Sequence, residues 1–245
     1  MHHTPDLIGI IPARMAATRL PGKPLRLIAG VAMIERVYRG AAACPLLPRV
    51  VVATDSGEIQ AFCQARQIPC HLTSPAHPSG TDRVWQVASE LGAAAAVNIQ
   101  GDEPLVRPEM IATLIDTLFA APDTEVATIY TAASAAEAAM PSVCKLVTDE
   151  RGRALYFSRA AIPYPREGTP AYKKHLGFYA YSRRALDAFH AWPPAPLEEH
   201  ERLEQLRFLY HGVAIACAET PFDTIGVDTA EDLAAVERIL ASPAR

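Results

Sequence analysis

Three basic side chains lie close together near the start of the chain. Arg14, Arg19 and Lys23 fall within ten residues, in a segment that contains no acidic residue. Positive charges this close repel one another unless an anion joins them, and guanidinium groups match phosphate oxygens in geometry. The segment therefore predicts a polyphosphate site, and a triphosphate suits it best. The alternative is an ordinary solvated loop, since short charge clusters are common on protein surfaces.

Two aspartates follow apolar runs far apart in the sequence. Asp102 comes after the run 96–100, and Asp228 comes after the run 225–227. Ligands of open α/β sheets bind outside the carboxyl ends of the strands, so we expect both carboxylates at one sheet edge. Mg²⁺ usually takes one or two carboxylates and fills its other positions with phosphate and water. The pair predicts a magnesium site for phosphoryl chemistry. The alternative is that Asp102 caps a turn and Asp228 caps the last helix.

The surrounding elements predict how these side chains are positioned. Strand-like runs separated by helical patterns indicate an α/β fold with a mostly parallel, Rossmann-like central sheet flanked by helices. The clearest helix begins at Pro108, where a first turn tolerates proline. The predicted strands of this part lie at residues 6–11, 50–54, 96–100 and 126–131.

Beyond about residue 133 the pattern changes to strands with only short helices between them, which predicts a smaller, more antiparallel lobe. We expect a single domain over residues 1–245, in which this lobe spans 134–215. The remaining expectations are strands at 143–147, 154–157 and 176–181, a charged helix over 198–210, a strand ending near Val227, and a last helix capped at Thr229 with Asp232 three residues on.

Composition excludes several classes of protein. The chain has 245 residues, of which 50% are hydrophobic and 20% charged, with a net charge of −4, and this is enough for one large core. No apolar run reaches the ~18 residues of a membrane span, and no signal peptide is recognisable, so we expect a soluble, cytoplasmic protein without a membrane partner. Five cysteines without a C-x-x-C pair indicate neither disulfides nor zinc. The charge balance argues against nucleic-acid binding. Neither a Walker loop nor a G-x-G-x-x-G motif is present.

The motifs taken together resemble those of the CMP-KDO synthetases, the 3-deoxy-manno-octulosonate cytidylyltransferases. The most specific match joins Ile10–Arg14 to Thr18–Leu25, and the resemblance covers about residues 7 to 241. Further matches follow in order at 52–55, 77–83, 98–104, 157–159, 175–177, 203–207 and 226–229.

The resemblance implies a reaction and a set of roles. The reaction is Mg²⁺-dependent transfer of CMP from CTP to the anomeric hydroxyl of KDO, with release of pyrophosphate, for lipopolysaccharide synthesis, by a homodimer built through the lobe. Asp102, Asp228, Lys23 and Arg14 are implied as catalytic, and the two aspartates as the metal ligands. The implied nucleotide-binding residues are Ala13, Arg14, Arg19, Lys23, Ser79, Thr81, Arg83 and Asp102. The implied sugar-binding residues are Gln100, Arg159, His175, Glu204 and Gln205.

Alternatives stay open at this point. The acceptor can be another acid sugar, such as an 8-amino relative of KDO or a sialic-like nonulosonate. A regulatory protein that binds nucleotide without catalysis is a second class, although such a protein could dispense with one aspartate. Uridylyl- and guanylyltransferases use a glycine-rich loop where this chain has Ala16 and Ala17. Individually, Ser79 is equally suited to a helix cap, His175 to a structural role and Glu204 to a solvated helix face.

Overall fold

The computed structural model describes residues 6–15 and 19–241. Ala16, Ala17 and Thr18 of the predicted basic loop lie outside the described residues. The chain divides into two compact units, one formed by the chain up to Ala112 and from Thr224 onward, the other by Thr113–Asp223. In the described ranges, no helix is both long enough and apolar enough to cross a bilayer.

The elements are numbered here in chain order. The strands are β1 (Leu7–Ala13), β2 (Leu27–Ile28), β3 (Val31–Ala32), β4 (Val50–Thr54), β5 (Cys70–Leu72), β6 (Ala95–Asn98), β7 (Val126–Ala133), β8 (Lys145–Thr148), β9 (Ala154–Ser158), β10 (Tyr172–Ser182) and β11 (Ile215–Glu219). The α-helices are α1 (Met33–Ala42), α2 (Gly57–Ala65), α3 (Gly80–Glu90), α4 (Pro108–Phe119), α5 (Ala135–Ala138), α6 (Arg183–Ala191), α7 (Pro196–Glu201), α8 (Leu206–Tyr210) and α9 (Ala230–Ala241). A 3-10 helix covers Lys23–Leu25.

The first unit contains a parallel sheet in the order β6, β1, β4, β5. Strands β1, β4 and β6 are almost wholly buried, with Ile8, Ile10, Val52 and Val97 fully inaccessible, whereas β5 at the edge is partly exposed. Strands buried on both faces read as continuous apolar runs, which is why this part was visible in the sequence. Because β1 and β6 are parallel neighbours, the loops that follow them leave the sheet at the same edge.

The second unit contains a mixed sheet. Strand β11 runs parallel to β7, whereas β10 is antiparallel to both β7 and β8, and β8 is antiparallel to β9. The predicted fold class, a mostly parallel α/β sheet with a more antiparallel lobe, is confirmed. The single-domain description and the lobe boundaries 134–215 stay predictions.

The end of the chain departs from expectation in one place and follows it in another. No strand forms at 225–227, and the third predicted strand ends at Asn98. Instead of a ladder, Val227 makes one backbone bond, donating its N–H to the Asp102 carbonyl at 2.9 Å. The predicted cap of α9 is present, because the Asp232 carboxylate accepts from Thr229 N and the Thr229 hydroxyl accepts from Asp232 N.

The single helix predicted over 198–210 is wrong. Helix α7 ends at Glu201, Arg202 adopts a left-handed conformation with φ 54°, and α8 begins at Leu206. The break lets Arg207 turn back to Glu198, with Nη2 donating to Oε1 at 2.6 Å in a buried ion pair. On one continuous helix these residues would lie about 13 Å apart along the axis.

Candidate functional site

Lys23 lies between two aspartates that are distant in sequence. Its Nζ donates to Asp102 Oδ2 at 2.7 Å and to Asp228 Oδ1 at 3.0 Å. Arg19 Nη2 donates to the other oxygen of Asp228, Oδ2, at 2.9 Å. The structure therefore brings together two cations of the basic loop and both predicted metal ligands.

The pairing keeps Lys23 charged. Burial alone would lower the pKa of Lys23, but the charge and hydrogen bond of Asp102, together with those of Asp228, outweigh it and leave the pKa raised. The Lys23 side chain is only 16% exposed, whereas that of Arg19 is 66% exposed. An exposed pair such as Arg19–Asp228 contributes little to stability and exchanges partners readily.

An apolar cluster lies under the charged residues and fixes their backbone. Its buried members come from the basic loop, β2, α1, the 225–227 segment and α9. At the loop itself, Gly22 has φ +68°, a left-handed conformation that favours glycine, immediately before the 3-10 helix that begins with Lys23. The cluster consists of Leu20, Ile28, Met33, Val227 and Val236, with Leu105, Ile225 and Leu233 packed against it.

A tight turn after β6 presents Asp102. Glu103 N donates to the Gln100 carbonyl at 3.2 Å, which closes the turn. Gly101 lies against the end of β1, so that a Cβ at this position would come within 2.7 Å of the Pro12 carbonyl oxygen. The absence of a side chain at position 101 lets the turn approach the end of β1.

Arg14 is directed to a different neighbour from the other two cations. Its Nη2 donates to the carbonyls of His77 at 2.8 Å and Ser79 at 3.1 Å. The Ser79 hydroxyl caps α3 by accepting from Asp82 N at 3.0 Å, as the alternative interpretation of that residue predicted. Arg14 thereby links the end of β1 to the loop before α3.

Thr81 and Arg83 are buried in the first turn of α3. The Arg83 guanidinium bonds to Asp55 Oδ2 at 2.8 Å and also to the Thr73 hydroxyl. Burial lowers the pKa of Arg83, and the bond and charge of Asp55 oppose that shift only in part. Arg83 cross-links α3 to the segments that follow β4 and β5, and its proposed contact with nucleotide stays a prediction.

A cavity of about 320 Å³ collects most of the predicted residues of this unit. Three cationic residues and two carboxylates line it, which suits a phosphate chain together with a divalent cation. Ser79, Thr81 and Arg83 are not among its lining residues. The lining consists of Pro12, Ala13, Arg14, Arg19, Lys23, Pro24, Gln100, Gly101, Asp102 and Asp228.

The donor set fits an open metal site and not a closed one. Over residues 6–15 and 19–241, no group of three or more His, Cys, Asp or Glu side chains could enclose a metal ion. Asp102 and Asp228 are two carboxylates hydrogen-bonded to the same ammonium group. Mg²⁺ commonly takes one or two carboxylate ligands from the protein, and phosphate and water oxygens fill its other coordination positions.

In the second unit, Arg159 acts as an internal clamp. Its Nε donates to the Glu201 carbonyl at 2.8 Å, Nη1 to the Pro141 carbonyl at 3.2 Å and Nη2 to the Arg202 carbonyl at 3.4 Å. The Glu201 carboxylate in turn accepts from the Arg159 backbone N–H at 2.9 Å and the Ser158 hydroxyl at 2.6 Å. Guanidinium has five N–H donors, so two remain for a ligand.

His175 is a neutral residue of β10. Burial lowers its pKa to about 3. The Thr128 hydroxyl donates its one hydrogen to the Phe178 carbonyl at 2.8 Å, so its 3.0 Å contact with His175 Nε2 assigns the ring proton to that nitrogen. The ring also packs edge-on against Phe157, with centroids 5.0 Å apart. Without a positive charge, His175 cannot form an ion pair with a carboxylate.

Gln205 and Glu204 lie in the turn between α7 and α8. Gln205 is buried and its Nε2 lies 3.9 Å from the Cys144 sulfur. The Glu204 carbonyl accepts from Arg207 N at 3.1 Å, which starts α8. The structure thus brings Arg159 and this turn together through Glu201 and Arg202.

Three contributors to these arrangements were missed from the sequence. Glu103 accepts a hydrogen bond from the Thr224 hydroxyl at 2.6 Å, beside the aspartate pair. Glu201 holds the backbone of Arg159. Glu103 lies inside the segment 98–104 that resembles the family, and this position could have marked it as a site residue. Nothing in the sequence marks Thr224 or Glu201 in this way.

Comparison with known proteins identifies the family of the chain. The model of the cytidylyltransferase family matches residues 8–215. A 3-deoxy-manno-octulosonate cytidylyltransferase of Koribacter versatilis strain Ellin345 is 53% identical over 241 residues, which cover 98% of this chain and 92% of the relative. The solved structure of a CMP:2-keto-3-deoxy-manno-octonic acid synthetase complexed with CTP is 42% identical, covers 96% of this chain and 98% of its own, and superposes with a TM-score of 0.92.

The fold and the cavity define a nucleotidyltransferase. The fold extends to distant proteins, because a cytidylyltransferase from Leptospira borgpetersenii serovar Hardjo-bovis strain JB197 shares it at 14% identity, with 98% and 88% of the two chains covered and a TM-score of 0.64. The high identity over nearly the whole length carries the assignment further. The chain belongs to the 3-deoxy-manno-octulosonate cytidylyltransferase family.

Proposed function

We propose that the protein transfers CMP from CTP to the anomeric hydroxyl of KDO and releases pyrophosphate, as a 3-deoxy-manno-octulosonate cytidylyltransferase. The observation that carries the proposal is the convergence of Lys23, Arg19, Asp102 and Asp228 on one cavity. The family assignment supplies the nucleotide and the acceptor.

The proposed reaction is a single displacement at phosphorus. The anomeric oxygen of KDO bonds to the α-phosphorus of CTP while the bond from that phosphorus to the α,β-bridging oxygen breaks. Pyrophosphate leaves with the bridging oxygen, and the hydroxyl proton is released. Positioning and charge neutralisation suffice for such a step, so no protein nucleophile is needed.

The basic side chains have distinct proposed roles. Arg19 and Lys23 bind the triphosphate and neutralise the charge that builds on the leaving pyrophosphate. Arg14, bonded to the loop before α3, lies beside the nucleotide with the Ala13 backbone. We also assign Ser79, Thr81 and Arg83 to the nucleotide pocket, because Arg14 bonds to the loop that leads into α3, where they lie.

Asp102 and Asp228 would hold Mg²⁺. When bound, the ion would supply Lewis-acid stabilisation of phosphate charge and lower the pKa of an oxygen that it coordinates. In the structure the same carboxylates are paired with Lys23 and Arg19. A triphosphate competes for these two cations, and this competition releases the carboxylates.

We propose acceptor-binding roles for the sugar-binding residues that the resemblance implied, each within its own unit. Gln100 lines the cavity next to Asp102 and suits a sugar hydroxyl. In the second unit, Arg159 retains donors for the KDO carboxylate. His175 acts as a neutral hydrogen-bonding group, because burial lowers its pKa to about 3. Glu204 and Gln205 suit the hydroxyls.

The cellular setting is also a proposal. We place the enzyme in the cytoplasm, where it supplies CMP-KDO for lipopolysaccharide synthesis, as a homodimer formed through residues 134–215. Sedimentation of the purified chain tests the dimer, and a monomer at micromolar concentration would contradict it.

The deciding experiment is pyrophosphate release with KDO, Mg²⁺ and each of CTP, UTP, ATP and GTP in turn. Activity with CTP alone is expected. The absence of pyrophosphate release with all four nucleotides would overturn the proposal. Repeating the CTP reaction with 8-amino-KDO and with a sialic acid separates KDO from the other acid sugars.

A further inference from the structure

The segment that carries Asp228 has unusually little regular structure to hold it. Residues 225–227 belong to no strand, and α9 begins only at Ala230. Yet the Asp228 carboxylate must keep a fixed distance from Asp102, since productive geometry at a catalytic site tolerates deviations of only about 0.5 Å. Something other than a sheet ladder must therefore set the position of this segment.

Two hydrogen bonds join the segment to the Asp102 turn. Val227 N donates to the Asp102 carbonyl at 2.9 Å, and Thr224 Oγ1 donates to Glu103 Oε2 at 2.6 Å. A Cβ at Gly226 would lie 3.2 Å from Glu103 Oε1, so the chain also passes closely over this carboxylate.

The two bonds act together with other restraints on the segment. Packing in the apolar cluster holds Ile225 and Val227, and Asp228 N donates to Asp232 Oδ2 at 3.0 Å. The bonds of Val227 and Thr224 add a direct link to the Asp102 turn at two points three residues apart. Thr224 is only 3% exposed, so water competes little for the hydrogen bond of its hydroxyl. A hydrogen bond to an ionised carboxylate is also shorter and stronger than one between neutral groups.

We propose that Glu103 is a positioning residue, whose bond to Thr224 sets the separation of the Asp102 and Asp228 carboxylates. Glu103 follows Asp102 in the turn, but it is not among the residues that line the cavity. It acts through Asp228 and does not contact substrate. The inference rests on the proposed function, in which the two carboxylates share one cation.

The test compares variants that remove the bond with variants that keep it. Thr224→Val removes the hydroxyl at nearly constant volume, and Thr224→Ser retains it. Glu103→Ala removes the acceptor, and Glu103→Gln retains an oxygen acceptor. We measure kcat, KM for CTP, the Mg²⁺ concentration for half-activation, the unfolding temperature, and Mn²⁺ binding by electron paramagnetic resonance without nucleotide.

Thr224→Val and Glu103→Ala are expected to lower kcat about tenfold and to raise the half-activating Mg²⁺ concentration several-fold. KM for CTP should change less than threefold, because misplacing a charged group weakens its interaction mainly in the transition state. The serine and glutamine variants should stay within about threefold of wild type. The double variant Glu103→Ala/Thr224→Val should lose less than the product of the two single losses, since both variants remove the same Glu103–Thr224 hydrogen bond.

Three results would overturn the proposal. One is wild-type kcat, Mg²⁺ dependence and Mn²⁺ affinity in Thr224→Val. Another is a loss in Glu103→Gln as large as in Asp102→Asn, which would make Glu103 a direct ligand. The last is a lower unfolding temperature with unchanged Mg²⁺ and Mn²⁺ responses, which indicates a structural role alone. If the wild-type chain makes no CMP-KDO, the proposed function fails, and the Mn²⁺ measurement still decides the positioning role.

Discussion

The two cations proposed for the triphosphate, Arg19 and Lys23, and the second-unit residues proposed for the sugar are held in opposite ways. In the first unit, Lys23 and Arg19 bond to carboxylates at the edge of a cavity, and the Arg19 and Asp228 side chains are 66% and 46% exposed. In the second unit, Arg159 bonds to three backbone carbonyls and His175 is neutral. One set consists of ions that can exchange partners, and the other of groups already fixed by the fold.

The difference follows the chemistry that each set is proposed to serve. A triphosphate brings several negative charges and a cation with it, so side chains that exchange one ionic partner for another lose little on binding. A sugar is recognised by the direction of its hydroxyl groups, which requires donors and acceptors that do not move. Removing charge should therefore have large effects in the first unit, and changing shape or protonation should matter in the second.

The largest effect is expected from the aspartates. Asp102→Asn and Asp228→Asn should each lower kcat by about 100-fold or more, while CTP still binds, because metal-supplied charge stabilisation is worth several kcal/mol. Pyrophosphate release gives kcat, and titration calorimetry gives CTP affinity.

A matched control is Asp187→Asn, which removes a carboxylate from an exposed 2.8 Å ion pair with Arg183 in the second unit. It should leave kcat unchanged. Near-normal turnover in either cavity variant would contradict the assignment of the metal ligands and the contrast between the two units.

An intermediate effect is expected on metal binding by the ligand-free protein. Lys23→Met removes the ammonium group shared by Asp102 and Asp228. We expect Mn²⁺ binding without nucleotide to tighten about tenfold, since the ammonium group competes with the metal for both carboxylates and a charge pair at this distance is worth on the order of 1 kcal/mol even in water. Electron paramagnetic resonance of Mn²⁺ measures the affinity directly.

The same variant should turn over slowly, because it has lost a phosphate ligand, so tighter metal binding and lower activity are expected together. Arg184→Gln removes an 86% exposed cation from the second unit and serves as the control for net charge. Unchanged or weaker Mn²⁺ binding in Lys23→Met would show that Lys23 does not compete with the metal.

The third expected effect is on stability, through His175. Its folded pKa of about 3 lies below the ordinary value of 6.5, so the unfolded chain takes up the proton first as the pH falls. The free energy of unfolding should therefore decrease as the pH falls from about 6.5 towards 3. Between pH 7 and pH 4.5 the wild type should lose about 2 to 3 kcal/mol more than His175→Gln.

Urea denaturation at each pH measures this difference, and His190→Gln, at an exposed position, is the control. Equal pH dependence in wild type and His175→Gln would contradict the neutral assignment, as would an imidazole resonance of His175 that titrates near pH 6.5.

Prediction from the sequence succeeded best for buried strands, because strands buried on both faces appear as continuous apolar runs. The parallel strands of the first unit are apolar on both faces, and this pattern correctly predicted that Asp102 follows one of them. The meeting of Lys23 with Asp102 and Asp228 also agrees with expectation. The contact with Asp102 follows from topology, because the loops after the parallel strands β1 and β6 leave the sheet at one edge. Asp228 follows no strand, and the segment before it packs in the apolar cluster with Leu20.

Strand prediction from the sequence failed where an apolar run packs in a cluster and does not form a β-strand. Val227 looked like the end of a strand, but it packs in the cluster with Leu20 and Met33 under the basic loop. The strand that does form, β11, reads Ile-Ala-Cys-Ala-Glu and lacks the β-branched run that would have predicted it. The break at Arg202 was equally hidden, because the residues on each side of it suit a helix.

Position 101 sets a limit on how far the enzyme can be redesigned. Its bare backbone approaches the end of β1 so closely that even a methyl group would meet the Pro12 carbonyl oxygen at 2.7 Å. Libraries that aim at a different nucleoside or acid sugar can therefore vary the polar lining, but should keep glycine here. Any larger residue would move the first aspartate away from the second before selection could act on specificity.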